Sequence, residues 1–186
     1  MKPVHLLADI LDYPSSRLSV QITECLTMLQ TTESEAAQLL EQFQLWTGKS
    51  SLAELQEGYT ATFDMQAHCS LYVGHQILGE DHRRGLFMAK LREEYRTHGF
   101  SDNGELPDHL PVLLRYLAVC EQGEIRAELI AGCVLPAIAR ILVPLKAKDH
   151  PYVLVLRTVQ ALLSGEQKSE TAGQEHRSAA AEVGNV

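Results

Sequence analysis

Apolar residues in this chain recur at helical spacing, segment after segment, with no convincing period-two alternation between them. Leu18, Ile22, Cys25, Leu26 and Leu29 form one such stripe, and Ala36, Leu39, Leu40, Phe43 and Trp46 form the next. Residues three and four apart share one face of a helix, so each stripe predicts an element that buries one side. Stop and start signals separate them. Asp12-Tyr13-Pro14 ends a short helix over Val4–Leu11, because the residue before proline is pushed out of the α region. Ser15 or Ser16 caps the second helix, and Gly48 stops the third. Ser51-Leu52-Ala53-Glu54 reads as a capping box, followed by Leu52, Leu55, Tyr59 and Phe63 on one face.

The pattern continues. Leu71-Tyr72-Val73 has some strand character, but a helical turn ending at Gly74 or Gly79 fits its surroundings better. Asp81 caps a helix through His98 with Gly85, Met88, Leu91 and Tyr95 as its stripe and Phe87 beside it, closed by Gly99. A polar loop turning at Asn103-Gly104 leads to a helix that ends near Cys120. Gln122-Gly123 separates it from Glu124–Lys146, where Gly132 and Pro136 predict a kink or two helices meeting. Asp149-His150-Pro151 opens a last helix with Tyr152, Leu156, Val159, Leu162 and Leu163 facing inward. The sum is an all-α, single-domain helical bundle of roughly eight to ten helices over residues 1–163. Residues 164–186 turn to Gly, Ser, Gln, Glu and Ala and predict a disordered tail.

Composition narrows the function. A formal net charge of −8 argues against a general nucleic-acid binder and suits a cationic partner such as a basic peptide. Cys25, Cys69, Cys120 and Cys133 lie far apart, without the spacing of a zinc site or a secreted disulfide framework. With no run approaching about 18 uninterrupted apolar residues, the chain predicts a reduced, cytoplasmic protein. Walker A, G-x-G-x-x-G, G-x-S-x-G and H-E-x-x-H patterns are missing. His68, Cys69, His75, Asp81 and His82 fall in one region, and a metal-dependent helical hydrolase would use His68, His75, Asp81 and His82. No pair of them sits at i, i+4 on a clear helix.

Three constellations remain. Glu105-Leu106-Pro107-Asp108-His109-Leu110-Pro111 brackets an Asp-His pair with two prolines that suit a helix's first turn, with Leu110, Leu113, Leu114 and Leu117 as the buried stripe beyond. Asp108 then sits at the positive end of that helix dipole, and His109 is either solvated or part of a binding surface. Tyr59 and Phe63 share a face with Asp64 ending their helix: a core pair, or an aromatic slot with an acidic lip for an apolar, basic peptide. Arg83-Arg84-Gly85 is either a solvated face or a pair that orders nearby carboxylates.

Together these residues carry a family resemblance. Tyr59-x-x-x-Phe63-Asp64, Arg84-Gly85, Tyr95-x-x-His98-Gly99-Phe100, Glu105–Pro111 and Tyr116-Leu117-Ala118 resemble the NarJ-type nitrate reductase assembly chaperones, within the TorD-like group of redox-enzyme maturation proteins. The resemblance spans about Leu6 to Leu163. Arg115 departs from it, standing where the family carries an acidic residue. It implies a non-enzymatic cytoplasmic chaperone that binds the N-terminal peptide of the nitrate reductase catalytic subunit. It further implies that the client is kept competent for insertion of the bis-molybdopterin guanine dinucleotide cofactor and an iron–sulfur cluster before membrane attachment, with molybdenum cofactor biosynthesis proteins as further partners. By position, Tyr59, Phe63, Asp64, Asp108, His109 and Leu110 would line or shape the peptide groove, and Pro107 and Pro111 would set its loop. No cofactor would be held permanently. The alternative client is a dimethyl sulfoxide or trimethylamine oxide reductase. His109, with an ordinary pKa near neutrality, would tune release between about pH 6 and 8.

Overall fold

The computed structural model describes residues 2–29, 34–121 and 123–166, whose regular elements are all helical. In chain order the helices are α1 (Pro3–Ile10), α2 (Leu18–Leu29), α3 (Ser34–Thr47), α4 (Leu52–Tyr59), α5 (Val73–Leu78), α6 (Arg83–Thr97), α7 (Leu110–Val119), α8 (Glu124–Leu129) and α9 (Leu135–Ala147), with α10 over 152–166. Among the described residues there is no strand, only an isolated antiparallel bridge between Tyr72 and His109. Residues 167–186 of the expected tail lie outside the described residues, as does Gln122.

The stripes explain the packing. Every member of the α2 stripe is buried, as are Leu110, Leu113, Leu114 and Leu117 on α7 and the five predicted inward residues of α10. α1 packs on α7 and α2, α2 on α3, and α5 on both α6 and α9. The α6 stripe is narrower than its sequence suggests: Leu91 and Tyr95 are buried, whereas Met88 is half-buried and Gly85 exposed. The Ser51 capping box forms, with the Ser51 hydroxyl accepting from the Glu54 amide and the Glu54 carboxylate accepting from the Ser51 amide.

Two helices contain a π-type turn. α4 runs into one at Thr60–Asp64, where the Met65 amide reaches the Thr60 carbonyl. α8 and α9 are joined by another at Ile130–Val134, so the break expected around Gly132 and Pro136 is absorbed inside one helix, Glu124–Ala147. That helix is apolar and long enough to cross a membrane by length and composition, yet its stripe of Val134, Ile138, Ile141, Leu142 and Leu145 is core. Two arginines close backbone ends. Buried Arg126 donates to the Leu117 carbonyl at the end of α7 and pairs with Glu166 at the end of α10, while Arg140 donates to the Gln76 carbonyl of α5.

Candidate functional site

The site is built on the loop before α7. Pro107 lies in a turn rather than in the helix, and Pro111 sits in the helix's first turn, where a missing N–H has no consequence. Five hydrogen bonds from two segments, α6 and residues 71–73, clamp the loop. The Tyr95 hydroxyl donates to the Pro107 carbonyl at 2.7 Å, the Val73 amide to the Asp108 carbonyl at 2.7 Å, and the Leu110 amide to the Leu71 carbonyl at 2.7 Å. The other two come from Arg84, whose Nε donates to Asp108 Oδ2 at 2.8 Å and whose Nη2 donates to Oδ1 at 3.3 Å.

Asp108 is therefore not the helix-end carboxylate that the sequence suggests. His109 occupies the N-cap position and makes no side-chain cap, and the Asp108 side chain, with 0% exposure, is turned inward onto the Arg84 guanidinium. The two-pronged pairing satisfies both carboxylate oxygens, which is what allows a charge at this depth. Gly74 explains why the pair fits: a Cβ there would meet Asp108 Oδ2 at 2.7 Å and Arg84 Cγ and Phe87 Cδ1 at 3.1 Å. Of the two arginines flagged by sequence, Arg84 orders a carboxylate and Arg83 pairs with Asp81 on the surface.

Tyr59, Phe63 and Leu110 are core residues at 4%, 3% and 0% exposure. The Tyr59 ring meets Phe63 edge-on at 4.9 Å, both rings pack on Tyr152, and the Tyr59 hydroxyl donates to the Leu11 carbonyl. Burial, and then nearby Asp12, push the Tyr59 phenol well above its ordinary range. These side chains thus shape the wall from behind rather than forming an open slot. What reaches solvent is the layer in front. Tyr13, 50% exposed, lies edge-on to Tyr59 at 5.6 Å, and Asp64 is exposed at the end of the π turn with Met65 beside it.

Tyr72, which the sequence did not single out, joins the two motifs. Its ring lies 5.1 Å from the His109 ring, the Arg84 guanidinium sits 5.5 Å over it, and its hydroxyl lies 3.5 Å from Glu105. Burial pushes its phenol pKa up, with Glu105, Asp108 and Asp64 adding to the shift. His109 is half-buried; burial lowers its pKa, partly opposed by Glu105 and Asp12. The result is one face carrying Tyr13, Tyr72 and His109 among Asp12, Asp64 and Glu105. Arg115 adds a brace behind it, with bonds of 2.9 Å to Asp9 and 2.7 Å to Asp12 that tie α7 to the end of α1.

The histidine-rich region does not converge. Among the described residues no group of three His, Cys, Asp or Glu side chains could hold a metal ion. Asp81 pairs with Arg83 and His82, and all four cysteines are free thiols.

The described residues thus form a helical bundle whose most distinctive polar residues hold a loop, with an acidic aromatic face outside it. The chain belongs to the nitrate reductase delta subunit family, whose model matches residues 28–140. It is 27% identical over 180 residues to the nitrate reductase molybdenum cofactor assembly chaperone NarJ of Escherichia coli K12, covering 92% of this chain and 75% of that protein. It is also 27% identical over 160 residues to the probable NarJ chaperone of Bacillus subtilis 168, covering 84% of this chain and 85% of that one. A third relative, the nitrate reductase-like protein NarX of Mycobacterium tuberculosis H37Rv, is 28% identical over 131 residues, covering 70% of this chain and 20% of its own length. The first two are named as assembly chaperones, not as catalysts.

Proposed function

We propose that this protein is a cytoplasmic assembly chaperone for a respiratory nitrate reductase, binding the N-terminal peptide of the catalytic subunit on the face around Tyr72 and His109. In this role it makes no bond. It holds the client open while bis-molybdopterin guanine dinucleotide and an iron–sulfur cluster are inserted, and releases it before membrane attachment; cofactor biosynthesis proteins are the natural suppliers. The observation that carries the reading is geometric: the Tyr72 and His109 rings lie 5.1 Å apart with the Glu105 carboxylate 3.5 Å from the Tyr72 hydroxyl, and Asp64 is exposed at the end of the π turn. Such a surface suits a peptide with apolar anchors and a few basic residues, the anchors giving affinity and the charges giving register. Pro107, Asp108 and Pro111 hold the loop in place, and Tyr59, Phe63 and Leu110 support it from the core.

The test is calorimetry with a synthetic peptide of the client's N-terminus. Asp64→Asn with Glu105→Gln should weaken binding by about tenfold without lowering the melting temperature, because both carboxylates are exposed. Unchanged affinity in that variant would remove the face from the account. Peptides from dimethyl sulfoxide and trimethylamine oxide reductases, titrated alongside, separate the alternative clients.

A further inference from the structure

A second surface, which shares no lining residue with this face, lies between α6 and the helix formed by α8 and the following π turn. It is a groove of about 420 Å³ with Phe87 and Leu91 on one wall and Ile125, Leu129 and Cys133 on the other. Leu91 is buried, Ile125 is 45% exposed, and Phe87, Leu129 and Cys133 are half-buried. The two walls present residues at i, i+4 and i, i+4, i+8, so the exposed apolar surface is an elongated strip, not a round cup.

The rim decides what can lie there. Glu93, Glu94 and Glu128 edge the groove against a single cation, Lys90. Among the described residues Glu93 pairs with the exposed Arg96, at 3.7 Å, Glu94 lies 3.7 Å from His98 and accepts from the Tyr116 hydroxyl at 3.5 Å, and Glu128 makes no ion pair. An apolar strip with an acidic border matches an amphipathic helix whose apolar face is flanked by Lys or Arg. A second copy of this chain brings a net charge of −8 to the same border, and an anionic lipid surface is repelled by it.

We propose that the α6–α8 groove is a docking site for a basic amphipathic helix of a partner protein, separate from the surface around Tyr72 and His109. The reading does not depend on the identity of the client. Cys133 supplies the reporter: it alone of the four thiols is not fully buried, and it lies in the groove wall.

The experiment uses the full-length protein and two fluorescein-labelled model helices of about 14 residues, one of leucine and lysine, the other with glutamate for lysine. The leucine–lysine helix should bind, and at saturation should slow maleimide labelling of Cys133 by about fivefold or more. Glu93→Lys with Glu128→Lys should weaken it by at least about tenfold, and Ile125→Ser by several-fold, with melting temperatures unchanged. Glu24→Lys with Glu57→Lys, outside the groove, should leave affinity within about twofold. Equal binding of the leucine–glutamate helix overturns the proposal. So does binding that leaves Cys133 labelling unchanged, that ignores the groove charge reversal, or that the client's N-terminal peptide displaces from the Tyr72 face. A client peptide that binds while both model helices fail removes the groove and leaves the chaperone reading standing.

Discussion

Removing Arg84 should damage this protein more than removing Asp108, although each deletes the same ion pair. The asymmetry follows from burial. The Asp108 side chain has 0% exposure, whereas Arg84 retains 24% and sits over the Tyr72 ring. In Arg84→Ala the carboxylate stays behind at depth with no cation, a situation that costs about 3–5 kcal/mol. In Asp108→Ala the guanidinium can turn its head to water along its apolar stem, so the loss falls to about 2 kcal/mol. With a urea m-value of about 2 kcal/mol/M, the unfolding midpoint should drop by about 2 M for Arg84→Ala and about 1 M for Asp108→Ala. The double variant should be no worse than Arg84→Ala alone, giving a coupling of about 2 kcal/mol or more. Equilibrium urea unfolding of the four proteins measures all of this. If Asp108→Ala is the more damaging single change, or if the two losses simply add, the pair is not what holds the loop before α7.

Three further outcomes follow from the same geometry. Gly74→Ala should cost about 1–3 kcal/mol by urea unfolding, because its new methyl meets a carboxylate oxygen that Arg84 holds in place, and Asp108→Ala in the same chain should relieve part of it. Arg115→Ala should lower stability by about 1–2 kcal/mol through loss of both carboxylate partners, and Arg115→Glu by more, since it sets three acids together. For pH, burial holds the folded-state pKa of His109 and of His150 below the ordinary value of 6.5. Both histidines therefore contribute stability that is full above about pH 6.5 and is lost as pH falls through their depressed folded values. A His109→Gln chain should show a shallower decline on that acid side in pH-dependent urea unfolding; an unchanged profile would contradict it. For the same reason any histidine-controlled release of a client shifts acidward of the window between about pH 6 and 8 that the unperturbed side chain suggests.

Much of the fold is legible in the stripes. Leu18 through Leu29, Leu110 through Leu117 and Tyr152 through Leu163 are buried where their spacing places them, since a one-sided helix has one way to hide its apolar face. The capping box is equally local and equally readable. What local pattern cannot convey is which partner a side chain meets across the chain. Asp108 and Arg84 are separated by 24 positions, and Arg115 reaches Asp9 across 106; neither pairing has a periodicity. The aromatic motif is legible only in part: Tyr59, Phe63 and Asp64 lie at one helix end, but the rings face the core and the carboxylate faces solvent. Periodicity also makes no distinction between a stripe that meets the core and one that borders a groove. Ile125, Leu129 and Cys133 continue a helical pattern of inward type, yet they line an open surface. The π turns at Thr60–Asp64 and Ile130–Val134 shift register by one residue, which no proline or glycine rule anticipates.

The central claim is that the face around Tyr72 and His109 receives the N-terminal peptide of a nitrate reductase catalytic subunit. Calorimetric titration of that peptide into the wild-type chain and into Asp64→Asn with Glu105→Gln tests it most directly. Saturable one-to-one binding, weakened about tenfold in the variant while the melting temperature holds, is the predicted result. No binding to the wild-type chain, or equal binding to both, would contradict it.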